Sequence, residues 1–163
     1  MKRLCGLALT GVLWTGVVLA QTQPAHSDAS DELIKSIWLN AGFLSHHLQN
    51  DQSFNDTNTG LGIEVPLSSV YSLTAGQYIN SNNATTHYLG ACVMPLQWGT
   101  TKAGFAVGGF NGYPTYKGGG WFAAAVPALE IETHNWGLNI LYVPPVIPQV
   151  ASVLSFQIKY RFD

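Results

Sequence analysis

From Leu154 to Phe162 the chain alternates without a break. Leu154, Phe156, Ile158, Tyr160 and Phe162 take one side of an extended segment, and Ser155, Gln157, Lys159 and Arg161 take the other. Period-two patterning is the mark of a β-strand. Its apolar side has no polar member, so that side needs an apolar environment along its whole length. The composition says the same of the whole chain. Only 10% of its 163 residues are charged while 47% are hydrophobic, against a globular norm of roughly 25% charged, which leaves too little charge to cover a water-facing surface. This balance excludes intrinsic disorder, which needs the opposite composition. A formal net charge of -2 provides no basic footprint for nucleic acid.

Residues 1–20 read as a secretory signal. Lys2 and Arg3 give the positive start, an apolar run from Leu4 to Leu19 follows, and Val18-Leu19-Ala20 places small residues at the cleavage point. The run is marginal as an anchor, and Gln21-Thr22-Gln23 follows it without a basic stop. Cleavage after Ala20 removes Cys5, leaves Cys92 without an intrachain disulfide partner, and takes away two cations, so five basic against nine acidic residues give -4. Residues 21–36 then form a short N-terminal periplasmic segment. After it, nothing approaches the roughly 18 continuous apolar residues of a spanning helix. A membrane span must be made of strands.

Eight stretches have strand composition: Ile37 to Leu48, Thr59 to Leu67, Val70 to Asn80, Thr86 to Leu96, Ala103 to Asn111, Trp121 to Ile131, Trp136 to Val143 and Ala151 to Phe162. The connections alternate between short turns (Ser68-Ser69, Trp98 to Thr101, Glu132 to Asn135) and longer, Asn-, Gly- or Pro-rich links. Short turns at one end and long loops at the other are the layout of an eight-stranded antiparallel transmembrane β-barrel of the outer membrane, spanning 37–163. An even strand number closes the sheet and leaves no edge in hydrocarbon. A soluble lipocalin-like barrel has the same strand count, but it would need polar residues among Phe156, Ile158, Tyr160 and Phe162.

The expected inward set holds few charges. Glu64, Glu130, Lys159 and Arg161 are placed inside and should pair near the periplasmic end, because an unpaired buried charge is costly. Much of the rest is small or apolar, including Gly60, Gly62, Gly76, Gly90, Ala124 and Val126. That pattern suits a slot for a lipid tail; close packing of a thin barrel is the alternative. Pro66, Pro95, Pro127 and Pro144 each remove a ladder donor, and an unpaired seam could admit a tail sideways, although Pro95 and Pro144 read better as strand ends. Trp38, Trp98, Trp121 and Trp136 are expected to anchor the two interfaces.

His46 and His47 end the first stretch, while Tyr78, Asn80 and Ser81 end the third, at the same mouth. A hydroxyl beside an imidazole is a minimal kit for acyl transfer, and an amide can donate to an oxyanion. His26, His87 and His134 are too scattered for metal-ligand spacing, one cysteine cannot build a thiolate zinc site, and Gly118-Gly119-Gly120 lacks the Lys-Ser/Thr of a phosphate loop. No metal and no cofactor is expected. Asn55 and Asn58 should cap or turn the first outer loop.

The segments Tyr78-Ile79-Asn80-Ser81, Ala125-Val126-Pro127-Ala128-Leu129, Leu141-Tyr142-Val143-Pro144-Pro145 and Gln157-Ile158-Lys159-Tyr160-Arg161-Phe162 resemble the PagP family of lipid A palmitoyltransferases. Ser45-His46-His47-Leu48, followed by Asn55, Asn58 and Gly60-Leu61-Gly62-Ile63-Glu64, looks like its shorter, divergent proteobacterial relatives. The resemblance implies an eight-stranded barrel with an internal acyl-chain ruler. It further implies transfer of palmitate from a membrane phospholipid donor to a lipid A acceptor, in a cofactor-free monomer. It places the family histidine on His47, whereas unbroken strand parity turns His46 inward, so both stand as candidates. The family Asp-Ser pair falls on Asn80-Ser81, where Asn cannot supply the carboxylate. The lumen near Gly90, Ala91 and Cys92 is the expected end of the ruler. A passive or ligand-binding envelope barrel is the alternative. A lipid A deacylase is a further one, although its expected His-x-Ser near the C-terminus is missing.

Overall fold

A computed structural model describes residues 36–48, 54–145 and 151–162. The signal segment, residues 21–35, His26 and parts of two long loops lie outside the described residues. All eight expected strands form: β1 Trp38–His47, β2 Thr57–Pro66, β3 Tyr71–Ile79, β4 Thr85–Trp98, β5 Thr101–Phe110, β6 Phe122–Glu132, β7 Trp136–Val143 and β8 Val153–Arg161. Each pairs antiparallel with its sequence neighbour, and β8 closes on β1, so the sheet is a complete barrel. Links at one end are short, down to the two residues Gly99-Thr100 between β4 and β5. Gly99 has φ +61 there, the left-handed geometry that tight hairpins require. The longer links gather at the other end.

Alternation sets the faces. Leu61 and Ile63 of β2, Leu73 of β3, Leu89 of β4, Phe105 of β5 and Ile158 of β8 point outward and are exposed. Among the described residues no Asp, Glu, Lys or Arg lies on the outer face of a strand. The lumen takes the polar complement.

Two bulges break the simple parity. In β1, Ala41 faces Ile158 and Phe43 faces Gln157, so Gly42 is an extra residue with φ +63. A glycine in the left-handed region is the usual seat of such a bulge. Trp38 and Asn40 point inward before it, and Phe43, Ser45 and His47 point inward after it. In β4 the register slips between Val93 and Leu96 opposite Phe105 and Ala103. Pro95 is expected from sequence to end a strand but sits inside β4 at a bulge, which absorbs its missing donor. Pro144 does follow the last residue of β7.

The short-turn end of the lumen is filled by charge. Lys159, fully buried, reaches Glu64 at 3.1 Å, Glu130 at 3.7 Å and Glu132 at 2.6 Å. Glu132 also binds Lys102 at 2.6 Å. The expected pairing is thus centred on Lys159 and enlarged by Lys102 and Glu132, because β5 and β6 run further than their composition suggested. Arg161 donates to the His134 carbonyl at 2.6 Å and lies 4.5 Å from the Trp38 ring centroid. Trp38 is 1% exposed beneath these cations and anchors no outer girdle, a correction to the sequence reading, since Trp38 shares the inward parity of Asn40. Trp98, Trp121 and Trp136 are exposed, as girdle residues would be.

Candidate active site

The lumen is not evenly filled. On the β1–β4 side, Phe43 stacks on Tyr78 with ring centroids 5.3 Å apart, and both lie near Tyr88. A side chain at Gly62 would run into the Tyr88 hydroxyl, and one at Gly76 would meet it at 2.7 Å. These glycines therefore make room for an aromatic ring. Gly90 and Gly108 face each other across β4 and β5, and a Cβ on Gly108 would come within 2.8 Å of Gly90 Cα. Their role is close backbone approach.

The space left open is a cavity of about 750 Å³, within the usual range for a ligand pocket. Its wall includes the apolar side chains Met94, Ala106, Ala124, Val126, Ala128 and Leu141. Six residues of β6 separate Phe122 from Ala128, about 15 Å along the axis for a rise near 3.3 Å and a tilt near 40°. That is about half of the roughly 30 Å hydrocarbon core of a bilayer, the share of one leaflet's tails. The cavity is open among the long loops at Phe54, Ser81, Asn82 and Tyr116 and closed below by Glu130 and Asn139. It is an apolar slot with one end.

The bulge at Gly42 decides which histidine meets this slot. His47 is 7% exposed and lines the cavity, whereas His46 is on the exposed face and cannot reach it. Unbroken parity pointed to His46, and the extra residue reverses that. His47 Nδ1 lies 2.6 Å from Asp56 Oδ1, and its ring stacks on Phe54 at 4.1 Å. Asp56 precedes β2 and was not singled out in the sequence. Its signal was only a carboxylate in the loop after the histidines. With a carboxylate on Nδ1, the imidazole carries its proton there and presents Nε2 as an acceptor.

The rest of the mouth is built by asparagines. Ser45 donates to Asn58 Oδ1 at 2.6 Å, and Asn58 Nδ2 donates to the Ile79 carbonyl at 2.9 Å. Asn55 accepts from the Thr57 amide at 3.1 Å and donates to the Asn80 carbonyl at 3.3 Å. These two residues turn the first loop, as expected, and tie it to the end of β3. The Asn55 amide donates to the Ser81 carbonyl at 3.0 Å, which holds Ser81 beside the His47–Asp56 loop at the cavity rim.

Asn80 and Tyr78 are otherwise engaged. Asn80 is fully buried; its Nδ2 donates to Thr86 at 3.0 Å and to the Gly112 carbonyl at 2.7 Å, and its Oδ1 accepts from the Asn82 and Ala84 amides. No donor remains for an oxyanion, so Asn80 holds the β3–β4 turn instead. The Tyr78 hydroxyl is 2.8 Å from that of Tyr113, joining β3 to the loop before β6. Burial pushes the Tyr113 phenol above its ordinary range, so it stays a neutral hydroxyl.

Between β6 and β7 the ladder runs only from Glu132–Gly137 to Ala128–Leu141. It stops beside Pro127, and among the described residues Phe122 to Pro127 pair with β5 alone. This is the seam that the prolines suggested, and it flanks the slot. Deeper in, the ligand-type atoms of Glu64, Cys92 and Glu130 lie within 4.8 Å of one another. The Lys159 ammonium already occupies the cation position between the two carboxylates. Compared with known proteins, the chain matches no family model and no curated protein.

Proposed function

We propose that this chain is an outer-membrane acyltransferase that moves a palmitoyl-type chain from a glycerophospholipid to lipid A. One observation carries the reading: a one-ended apolar slot of tail dimensions opens beside a buried imidazole paired with a carboxylate. The uncharged outer face of the barrel supports placement in a bilayer, where a lumen reached through the β6–β7 seam could take a tail without crossing water.

In the chemistry this suggests, the phospholipid acyl chain lies in the slot with its ester carbonyl at the rim. The acceptor hydroxyl attacks that carbonyl while His47 Nε2 takes its proton, and Asp56 stabilises the imidazolium. Collapse of the tetrahedral intermediate expels the glycerol oxygen, which recovers the proton from His47 and leaves as lysophospholipid. Ser81 serves as nucleophile in a two-step version, or orients the acceptor hydroxyl in the direct one. A ligand-binding barrel without catalysis is the second reading. It is favoured by Asn80, whose amide is fully used and offers nothing to an oxyanion.

Lipid A mass spectra from cells with and without the gene test the proposal. One added acyl group is expected, lost in His47→Ala and Ser81→Ala while the heat-modifiable barrel persists. Loss of an acyl group with free fatty acid appearing would point to a deacylase instead. Unchanged lipid A would leave the binding barrel.

A further inference from the structure

We propose that Lys117 binds a lipid phosphate at the mouth of the slot. The inference rests on the reading that the slot takes an acyl chain, and deepens it by naming what holds the polar end of a substrate. Charge singles this residue out. Lys102, Lys159 and Arg161 gather at the short-turn end, where each is engaged with a carboxylate or a carbonyl. Lys117, the remaining lysine or arginine among the described residues, is exposed at the open end, in the link between β5 and β6. The carboxylate described at that end, Asp56, is committed to His47 at 2.6 Å. Among the described residues the mouth thus offers one uncommitted charge, and it is positive.

Its backbone conformation is the second observation. Lys117 has φ +50, and Gly118 and Gly119 follow at +61 and +82. Glycine enters this left-handed region freely and a side chain does so at a cost, so another glycine would serve the turn better than a lysine. Such a residue persists where its surroundings fix it. Here the Gly112 amide donates to the Gly119 carbonyl at 2.9 Å and the Gly119 amide to the Tyr113 carbonyl at 3.0 Å, while the Gly112 carbonyl accepts from Asn80 at 2.7 Å. Tyr113 and Tyr116 of the same link line the cavity. The ammonium is therefore carried beside the rim on a fixed support, with a flexible stem for reach. Phosphate is the anion that the proposed donor and acceptor have in common, a diester in the glycerophospholipid and monoesters on lipid A. An ammonium takes phosphate as a point charge, through charge-assisted hydrogen bonds. The link between β5 and β6 lies across the closed sheet from β1, so a phosphate at Lys117 and a carbonyl or hydroxyl at His47 bracket the mouth.

The full chain, folded in a non-ionic amphipathic polymer, is loaded with a fluorescent fatty acid. The probe is displaced by two lipids that differ only in the phosphate, 1-palmitoyl lysophosphatidate and 1-palmitoylglycerol. At low ionic strength the phosphorylated lipid is expected to bind about fivefold more tightly, the upper end for one exposed ion pair, and the preference should shrink as salt is added. Lys117→Gly removes the charge and suits the left-handed backbone, so the barrel should fold as before by circular dichroism while the two lipids bind equally. Lys117→Arg should keep the preference. Equal binding by the unaltered chain, or a preference that survives Lys117→Gly, overturns this inference while leaving the slot reading intact. Displacement by neither lipid overturns both. Transfer assays with lipid A carrying or lacking its phosphates separate the two sources. A Lys117→Gly defect confined to the phosphorylated acceptor assigns the contact to lipid A, and a raised KM for the phospholipid with either acceptor assigns it to the donor. The displacement measurement needs no transfer, so a chain that transfers nothing yet prefers the phosphorylated lipid through Lys117 strikes the proposed activity and upholds this contact.

Discussion

The most exposed wager of this lumen is one ammonium. Lys159 has no exposure and faces three carboxylates, Glu64, Glu130 and Glu132, with Ser72 adding a hydrogen bond to Glu64 at 2.9 Å. Removing one partner of a buried ionic cluster leaves uncompensated charge, at a cost of about 3–5 kcal/mol. Lys159→Met is therefore expected to lower the urea midpoint of unfolding sharply, and combining it with Glu64→Gln and Glu132→Gln should recover most of the loss. A second residue-scale expectation concerns Asp56. Because its carboxylate faces His47 Nδ1, Asp56→Asn should lower acyl transfer by about a hundredfold, the low end of general-base contributions. Asp56→Glu should restore part of it. Nitrogen-15 chemical shifts of the His47 ring would report the change of tautomer even if no transfer were observed. The imidazole itself was legible in the sequence; its carboxylate partner was not, because eight residues of loop separate His47 from Asp56 and only the chain's return brings them together.

At the scale of elements, β1 depends on its bulge. Gly42 at φ +63 is the position that lets Phe43, Ser45 and His47 face inward after Trp38 and Asn40. A β-branched residue in that conformation costs about 1–2 kcal/mol. Gly42→Val should therefore destabilise the barrel by that amount in equilibrium unfolding. Deleting Gly42 should be milder for the site, since simple alternation from Asn40 then runs through Phe43 and Ser45 to His47. Cysteine labelling at positions 46 and 47, in a chain with Cys92→Ala, would show position 46 still outward and position 47 still inward. The sequence reading located β1 to within a residue at each end, but strand parity alone turned His46 inward while the family resemblance pointed to His47. A bulge adds one residue without changing composition, so periodicity alone cannot detect it.

For the whole molecule, the decisive property is the outer face. Leu89 is 65% exposed on β4, well away from both ends of the strand. In a bilayer, Leu89→Arg should cost about 2–4 kcal/mol; on a barrel surrounded by water the same change should be within about 0.5 kcal/mol of neutral. Folding into lipid vesicles, followed by unfolding in urea, distinguishes the two and tests the proposed location independently of any enzymatic activity.

Eight strands, their antiparallel order, the closure of the sheet and the two faces of β2, β6 and β8 were legible in the residues alone. The strands and their faces follow from local alternation, and the antiparallel order from the short turns at one end and the moderate loops at the other. Tertiary structure decided the rest. Whether Gly62 and Gly76 framed a void or housed a ring depended on Tyr88, which arrives from another strand. Which histidine met the slot depended on how β1 and β8 kept register around Gly42. The floor exists because Glu130 and Asn139, cross-strand partners on β6 and β7, reach one level of the lumen. Such facts belong to pairs of residues distant in sequence, and no local pattern carries the relative height and angle at which closed strands present them.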